Sequence, residues 1–238
     1  MAHKQAILLF SIVFALSFTS TAHAHESAKH HAHPKTKASK CKSSKPSLSV
    51  KTATTRTKYI RTKSSKDLTQ MHGGQGSSVG GLGGGEIGFK VENQYEIAGT
   101  GNNVCVKLKR VEVTFYAKPE IHIASNFNRS TCEYNAVMAH EKGHIRILRN
   151  FVREYSPKVK KELVKVSRQL DSAIGPIPKS DISRAQDRMQ KAFMSKIEQY
   201  NEKIMPVLSK RQKAFDNPKE YARVASKCKK WDKKLSKN

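Results

Sequence analysis

Apolar and polar positions alternate most clearly between Val104 and Phe115, in VCVKLKRVEVTF. That period of two predicts a half-buried β-strand. Ala117-Lys118-Pro119-Glu120 interrupts it and Ile121-His122-Ile123 resumes it, so the reading is a hairpin turning at or near Lys118-Pro119. The spacing then changes to three and four. Val137, His140, Glu141, His144, Leu148, Phe151 and Tyr155 fall on one helical stripe.

Ser130-Thr131-Cys132-Glu133 fits a capping box with Ser130 as N-cap, and Ser156-Pro157 predicts that this helix ends near Tyr155. A second helix follows from Pro157 to about Ile174, before Gly175-Pro176. A third runs from Asp181 to about Lys213 with a kink at Pro206, and a fourth opens at Asn217-Pro218 towards Leu235. The fold class is therefore α+β: a small antiparallel hairpin sheet, then a mainly helical half.

Composition changes the picture before the hairpin. The 238 residues carry 45 Lys+Arg against 19 Asp+Glu, a net charge of +26. Residues 1–24 combine Lys4, the apolar run Ala6–Phe18 and Ala22-His23-Ala24, the pattern of a signal peptide cut after Ala24. That predicts an exported, periplasmic or secreted, protein. No apolar run reaches the ~18–20 residues of a membrane span. Residues 25–66 hold twelve Lys or Arg and one acid, with little to bury, and read as a disordered basic tail able to bind a polyanion or an acidic surface. Its His25, His30, His31 and His33 could hold a metal loosely. Nine of the 13 glycines lie between Gly73 and Gly88, so 67–88 reads as a flexible linker and 89–238 as the folded domain.

Export exposes the four cysteines to oxidation. In a hairpin centred on Lys118-Pro119, cross-strand partners sum to about 237 in residue number, which pairs Cys105 with Cys132 and leaves Cys41 and Cys228 paired or free. Four cysteines allow three connectivities.

One motif carries chemistry. His140-Glu141-Lys142-Gly143-His144 is H-E-x-x-H on a predicted helix. Residues four apart sit about 40° around and ~6 Å along, so both imidazoles face one way and can occupy two corners of a zinc tetrahedron. Glu141 lies beside them, where its carboxylate can act as general base on a water activated by the metal. Chance would give roughly 0.02 such matches in this composition. Core histidines are the competing reading, but they do not account for a carboxylate on the same buried stripe.

The motif resembles that of the zincin metallopeptidases, and the stretch Thr131-Cys132-Glu133-Tyr134-Asn135 before it is similar to that of small exported bacterial proteins described as zinc proteases. The resemblance spans roughly Phe89 to Tyr155. It implies zinc held by His140 and His144, Glu141 as base, and a peptide or protein substrate lying along a sheet edge, with Ile121–Ser125 similarly placed. Ile147 and Asn150 stand where the metzincin extension needs Gly and His, which excludes that subclass. Val164 stands near where a thermolysin-like Glu would fall, and Glu162 is close to it. Glu154, ten residues past His144 on one helix, is ~15 Å away by rise alone. The preferred third ligand is Asp216, with Glu220 next, although Asp216 also reads as a helix cap. Tyr221 and His122 are weaker candidates for stabilising an oxyanion.

The sequence thus predicts an exported zinc metallohydrolase, a peptidase or an amidase of peptidoglycan stems. The alternative is a non-enzymatic, basic envelope-binding protein with a structural or vestigial metal site.

Overall fold

A computed structural model describes residues 41–43, 45–73, 78–229 and 231. The predicted signal segment, residues 1–24, and the His25–His33 cluster lie outside them. In chain order the elements are β1 (Ser47–Thr54), β2 (Lys58–Ile60), α1 (Ser65–Met71), β3 (Gly81–Ala98), β4 (Asn103–Ile123), α2 (Cys132–Gln169), β5 (Ala173–Pro178), α3 (Ile182–Phe215) and α4 (Pro218–Ala225). The α+β class stands. Among the described residues no helix is long and apolar enough to cross a membrane.

The predicted hairpin is a single strand. β4 runs through Pro119, and its alternation buries Val104, Val106, Leu108, Val111, Val113, Phe115, Ala117, Ile121 and Ile123 on one face. Proline normally breaks a central strand by removing a ladder N–H. Here Ala117 O accepts from Thr55 N–H, so odd-numbered positions face the β1/β2 edge, and Pro119 falls in the gap where β1 has ended at Thr54 and β2 begins at Lys58. No ladder bond is lost.

β4 is the axis of the sheet. β3 pairs along its length, antiparallel, from Gly81↔Ile123 to Ala98↔Cys105. The opposite edge takes β5 antiparallel, then β1 and β2 parallel, end to end. The sheet is thus mixed, with parallel pairs where an antiparallel hairpin was expected. Residues 47–60, assigned from composition to a disordered tail, supply the parallel strands, and Gly81–Gly88, expected as a linker, opens β3. Ile121–Ile123, proposed as an edge strand, lies inside the sheet between β2 and β3.

Without a hairpin the register that joined Cys105 to Cys132 disappears. Cys105 bonds Cys41, and Cys132 bonds Cys228. Two disulfides fit an extracellular protein.

α2 also departs from expectation. It starts one residue later than predicted, with Thr131 rather than Ser130 capping Tyr134 N–H, and it continues through Pro157 to Gln169. A proline there costs the bond to the Arg153 carbonyl. The apolar stripe Phe151, Tyr155, Val159, Leu163 and Val166 continues across it, buried against β4 and against Met189, Phe193 and Ile197 of α3. Each such side chain contributes on the order of 1.5–3 kcal/mol, which outweighs one backbone bond. The segment expected to end that helix, Ala173–Pro178, is strand β5. α3 is likewise continuous through Pro206, and α4 stops at Ala225, well before Leu235.

Candidate metal centre and its pocket

The first turns of α2 pass over the start of β3, and here the helix stripe becomes polar. His140, Glu141 and His144 are each at least 94% buried, on the face that carries core residues elsewhere in the helix. Helix and strand approach closely because the strand is glycine. A Cβ at Gly83 would stand 2.6 Å from the Glu141 backbone oxygen, and one at Gly81 would stand 2.6 Å from Val137 Cγ1 and 2.8 Å from Glu141 Oε1. Gly83→Ala is therefore expected to destabilise the protein by about 1–3 kcal/mol, because backbone must move against backbone. Urea denaturation beside the variant Gly84→Ala, whose Cβ would meet nothing within 4 Å, measures it.

The third element arrives from the far end of the chain. α3 ends at Phe215, and the cap of α4 is Asn217, whose side chain accepts from Glu220 N–H. Asp216 is thus released from the capping role that competed with ligation. Its Oδ1 lies 3.1 Å from His140 Nε2 and 3.0 Å from His144 Nε2, while the two Nε2 atoms are 3.3 Å apart. A tetrahedral ion with bonds of about 2.0–2.1 Å separates its donors by roughly 3.3 Å, so the triangle has the size of a zinc face.

The other ring nitrogens fix the tautomers. His140 Nδ1 lies 3.1 Å from Glu220 Oε1, and His144 Nδ1 lies 2.6 Å from Gln212 Oε1. Both oxygens can only accept, since Gln212 Nε2 donates to the His144 carbonyl and Arg223 holds the Glu220 carboxyl down to about 2. Each Nδ1 therefore carries hydrogen, and in the neutral imidazoles both Nε2 lone pairs face Asp216 Oδ1. Three electron pairs converging on one point suit a cation. The His140, His144 and Asp216 group could hold a metal ion, and its donor set fits zinc.

Charge follows the same geometry. Burial pushes both imidazoles down, but hydrogen bonds to Asp216 and to Glu220 or Gln212 outweigh it and leave both above the usual value. Burial pushes Asp216 up, and the two histidines bring it well below the carboxylate range. Burial dominates at Glu141 and raises it to about 7, against the pull of both histidines and a hydrogen bond from Gly83 N–H. Tyr221 is raised to about 12, first by burial and then by the charges of Asp216 and Glu141.

Phe215 locks the cluster. Its ring stacks on His140 and meets His144 edge-on, with centroids 5.0 Å from each. It rests on Gly143, where a Cβ would come 2.3 Å from its ring. Glycine at the fourth motif position is thus what admits the aromatic that carries Asp216. Behind it, Cys132–Cys228 ties the start of α2 to the chain beyond α4.

Of the predicted residues, His140, Glu141, His144, Asp216 and Glu220 meet, with Glu220 orienting a ring. Glu162, eighteen residues beyond His144, lies about 27 Å along α2 and pairs with Lys165. His122 lies on β4 near Glu120, away from the cavity lining. Sequence reading missed Gln212, Phe215 and the packing role of Gly81 and Gly83. Only the glycines left a signal, and it was read as flexibility.

The cluster opens on a cavity of about 680 Å³ whose wall runs from Val79, Gly81 and Leu82 past Glu141 to Tyr221 and Trp231. The chain matches no family model, no curated protein and no solved structure.

Proposed function

We propose that this chain is a zinc-dependent hydrolase of amide bonds, a zincin-type peptidase acting on peptide or protein substrates in the cell envelope. One observation carries the reading: three donor atoms within 3.3 Å of one another, beside a buried Glu141, at the wall of an open pocket. His140, His144 and Asp216 would hold the metal, and three protein donors is the number typical of catalytic rather than structural zinc. Zinc so held supplies Lewis acidity to a carbonyl and lowers the pKa of water.

The chain's own residues do the rest. Glu141 takes a proton from the attacking water on its carboxylate and delivers it to the leaving nitrogen. Gly83 N–H steers that carboxylate from the strand side. Among the described strands β3 pairs with β4 alone, so its outer edge can bond an extended peptide running past Glu141. Amide bonds of peptidoglycan stems would meet the same groups. The net charge of +26 favours the alternative, a basic envelope-binding protein in which the metal is structural.

The test is metal content and peptide-library cleavage on the purified protein. One zinc per chain, lost in His140→Ala/His144→Ala, with cleavage abolished by a chelator and restored by zinc, is the expected result. Zinc retained in the double variant, or none bound by wild type refolded with the metal, overturns the reading. Zinc without cleavage favours the structural alternative.

A further inference from the structure

The face of α2 turned away from the metal centre is as ordered as the centre itself. Lys142, Arg146, Arg149, Arg153 and Lys160 recur at helical spacing and fall within about 40° of one line, over roughly 27 Å of helix. All five are exposed. His140 and His144 point to the opposite side and Glu141 to the flank between, all three buried.

Among the described residues none of the five meets a carboxylate. Arg149 donates to Thr57 Oγ1 and the Thr55 carbonyl, and Arg153 donates to Asn150 Oδ1. The acids of the same helix are used elsewhere: Glu154 holds Arg211 and Lys158, and Glu162 holds Lys165. Arg149 also draws the β1–β2 turn against the row, and that turn adds exposed Arg56. Cations lined up without counter-charges repel one another, so the helix keeps them at an electrostatic cost that an anionic partner relieves.

We propose that this row is a binding surface for a linear phosphate polymer, recognised by its charge along one edge of α2. The geometry favours a chain over a membrane. A single row neutralises a strand, whereas a lipid surface calls for apolar side chains to insert, and the exposed large hydrophobics, Tyr59, Met71, Ile97 and Tyr221, are all off α2. It also favours recognition without bases, because α2 interleaves no exposed aromatic among these cations, the exposed Tyr59 being on β2. Bound there, the polymer leaves the catalytic pocket open on the other side of the same helix.

The proposal is independent of the hydrolase reading, and its test uses labelled inorganic polyphosphate and fluorescence anisotropy on the full chain. Replacing Lys142, Arg146, Arg149, Arg153 and Lys160 by Gln is expected to weaken binding at least 10-fold. With about 0.7 of a counterion released per phosphate, it should make the log–log salt slope shallower by about 3–4. A control with the same net charge replaces Arg188, Lys191, Lys196, Lys203 and Lys210 of α3 by Gln and should lose far less. A charge-keeping variant, Arg146→Lys/Arg149→Lys/Arg153→Lys, should bind like wild type, which separates lost charge from lost folding. Equal losses in the two Gln variants mean that net charge alone binds and overturn the proposal. So does tighter binding to phosphatidylglycerol vesicles than to polyphosphate at equal phosphate, or a marked preference for oligothymidylate over polyphosphate.

Discussion

On the proposed reading, Glu141→Gln is expected to keep zinc and to lose hydrolysis by roughly 10²–10⁴-fold, the range a general base supplies. The substitution is chosen for what it leaves intact. Gln has the same length, and its Oε1 can still accept from Gly83 N–H, so the close seat of α2 on β3 persists. A neutral amide is also cheaper to bury than a carboxylate at this buried position. Thermal stability is therefore expected to hold or rise while kcat/KM falls. Steady-state assays on a cleaved peptide, with zinc measured in the same sample, read both. Undiminished turnover would remove Glu141 from the mechanism.

Asp216→Ala is expected to weaken the proposed zinc binding by at least about 100-fold, and Glu220→Gln by about 10–100-fold, the range for a residue that orients a ligand. The order follows from which ring nitrogen each carboxylate faces. Asp216 Oδ1 meets both Nε2 atoms, at 3.0 and 3.1 Å, whereas Glu220 Oε1, which also accepts from Arg223, meets a single ring nitrogen, His140 Nδ1, on the far side of its ring. Losing Asp216 removes a donor and a negative charge. Neutralising Glu220 leaves three donors and an acceptor for His140 Nδ1, as Gln212 is for His144, but removes the charge that strengthens that bond and the ring's basicity. Competition with a chromophoric chelator gives the affinities. If Glu220→Gln costs more than Asp216→Ala, the two roles are exchanged.

The two histidines and Glu141 were legible because helix geometry alone brings positions 140, 141 and 144 to one side. Asp216 was legible as a short carboxylate at the break before Asn217-Pro218, although no local rule could say that Asn217 takes the cap. The strands were harder. β1 gives the core only Leu48 and Val50 and β2 is mostly exposed, so the alternation is too short to read and backbone bonding to β4 holds both. Glycine has low strand propensity, and Gly81 and Gly83 make sense only once Glu141, some sixty residues away, is seated against them. Pro119 stopped the reading of β4 because the vacancy that accommodates it belongs to two other strands. The cysteine pairing failed with the hairpin it assumed.

The bond between Cys132 and Cys228 closes a covalent ring around every residue of the donor set, from His140 through Gln212 and Asp216 to Glu220. A single break in the main chain between Ile145 and Arg211 opens that ring without releasing either side. A nick on the surface near Asp171 by a protease would leave two fragments that still share the candidate metal site. They would part only when a reductant followed the protease. On the proposed reading of an exported hydrolase, that is resistance to the peptidases around it.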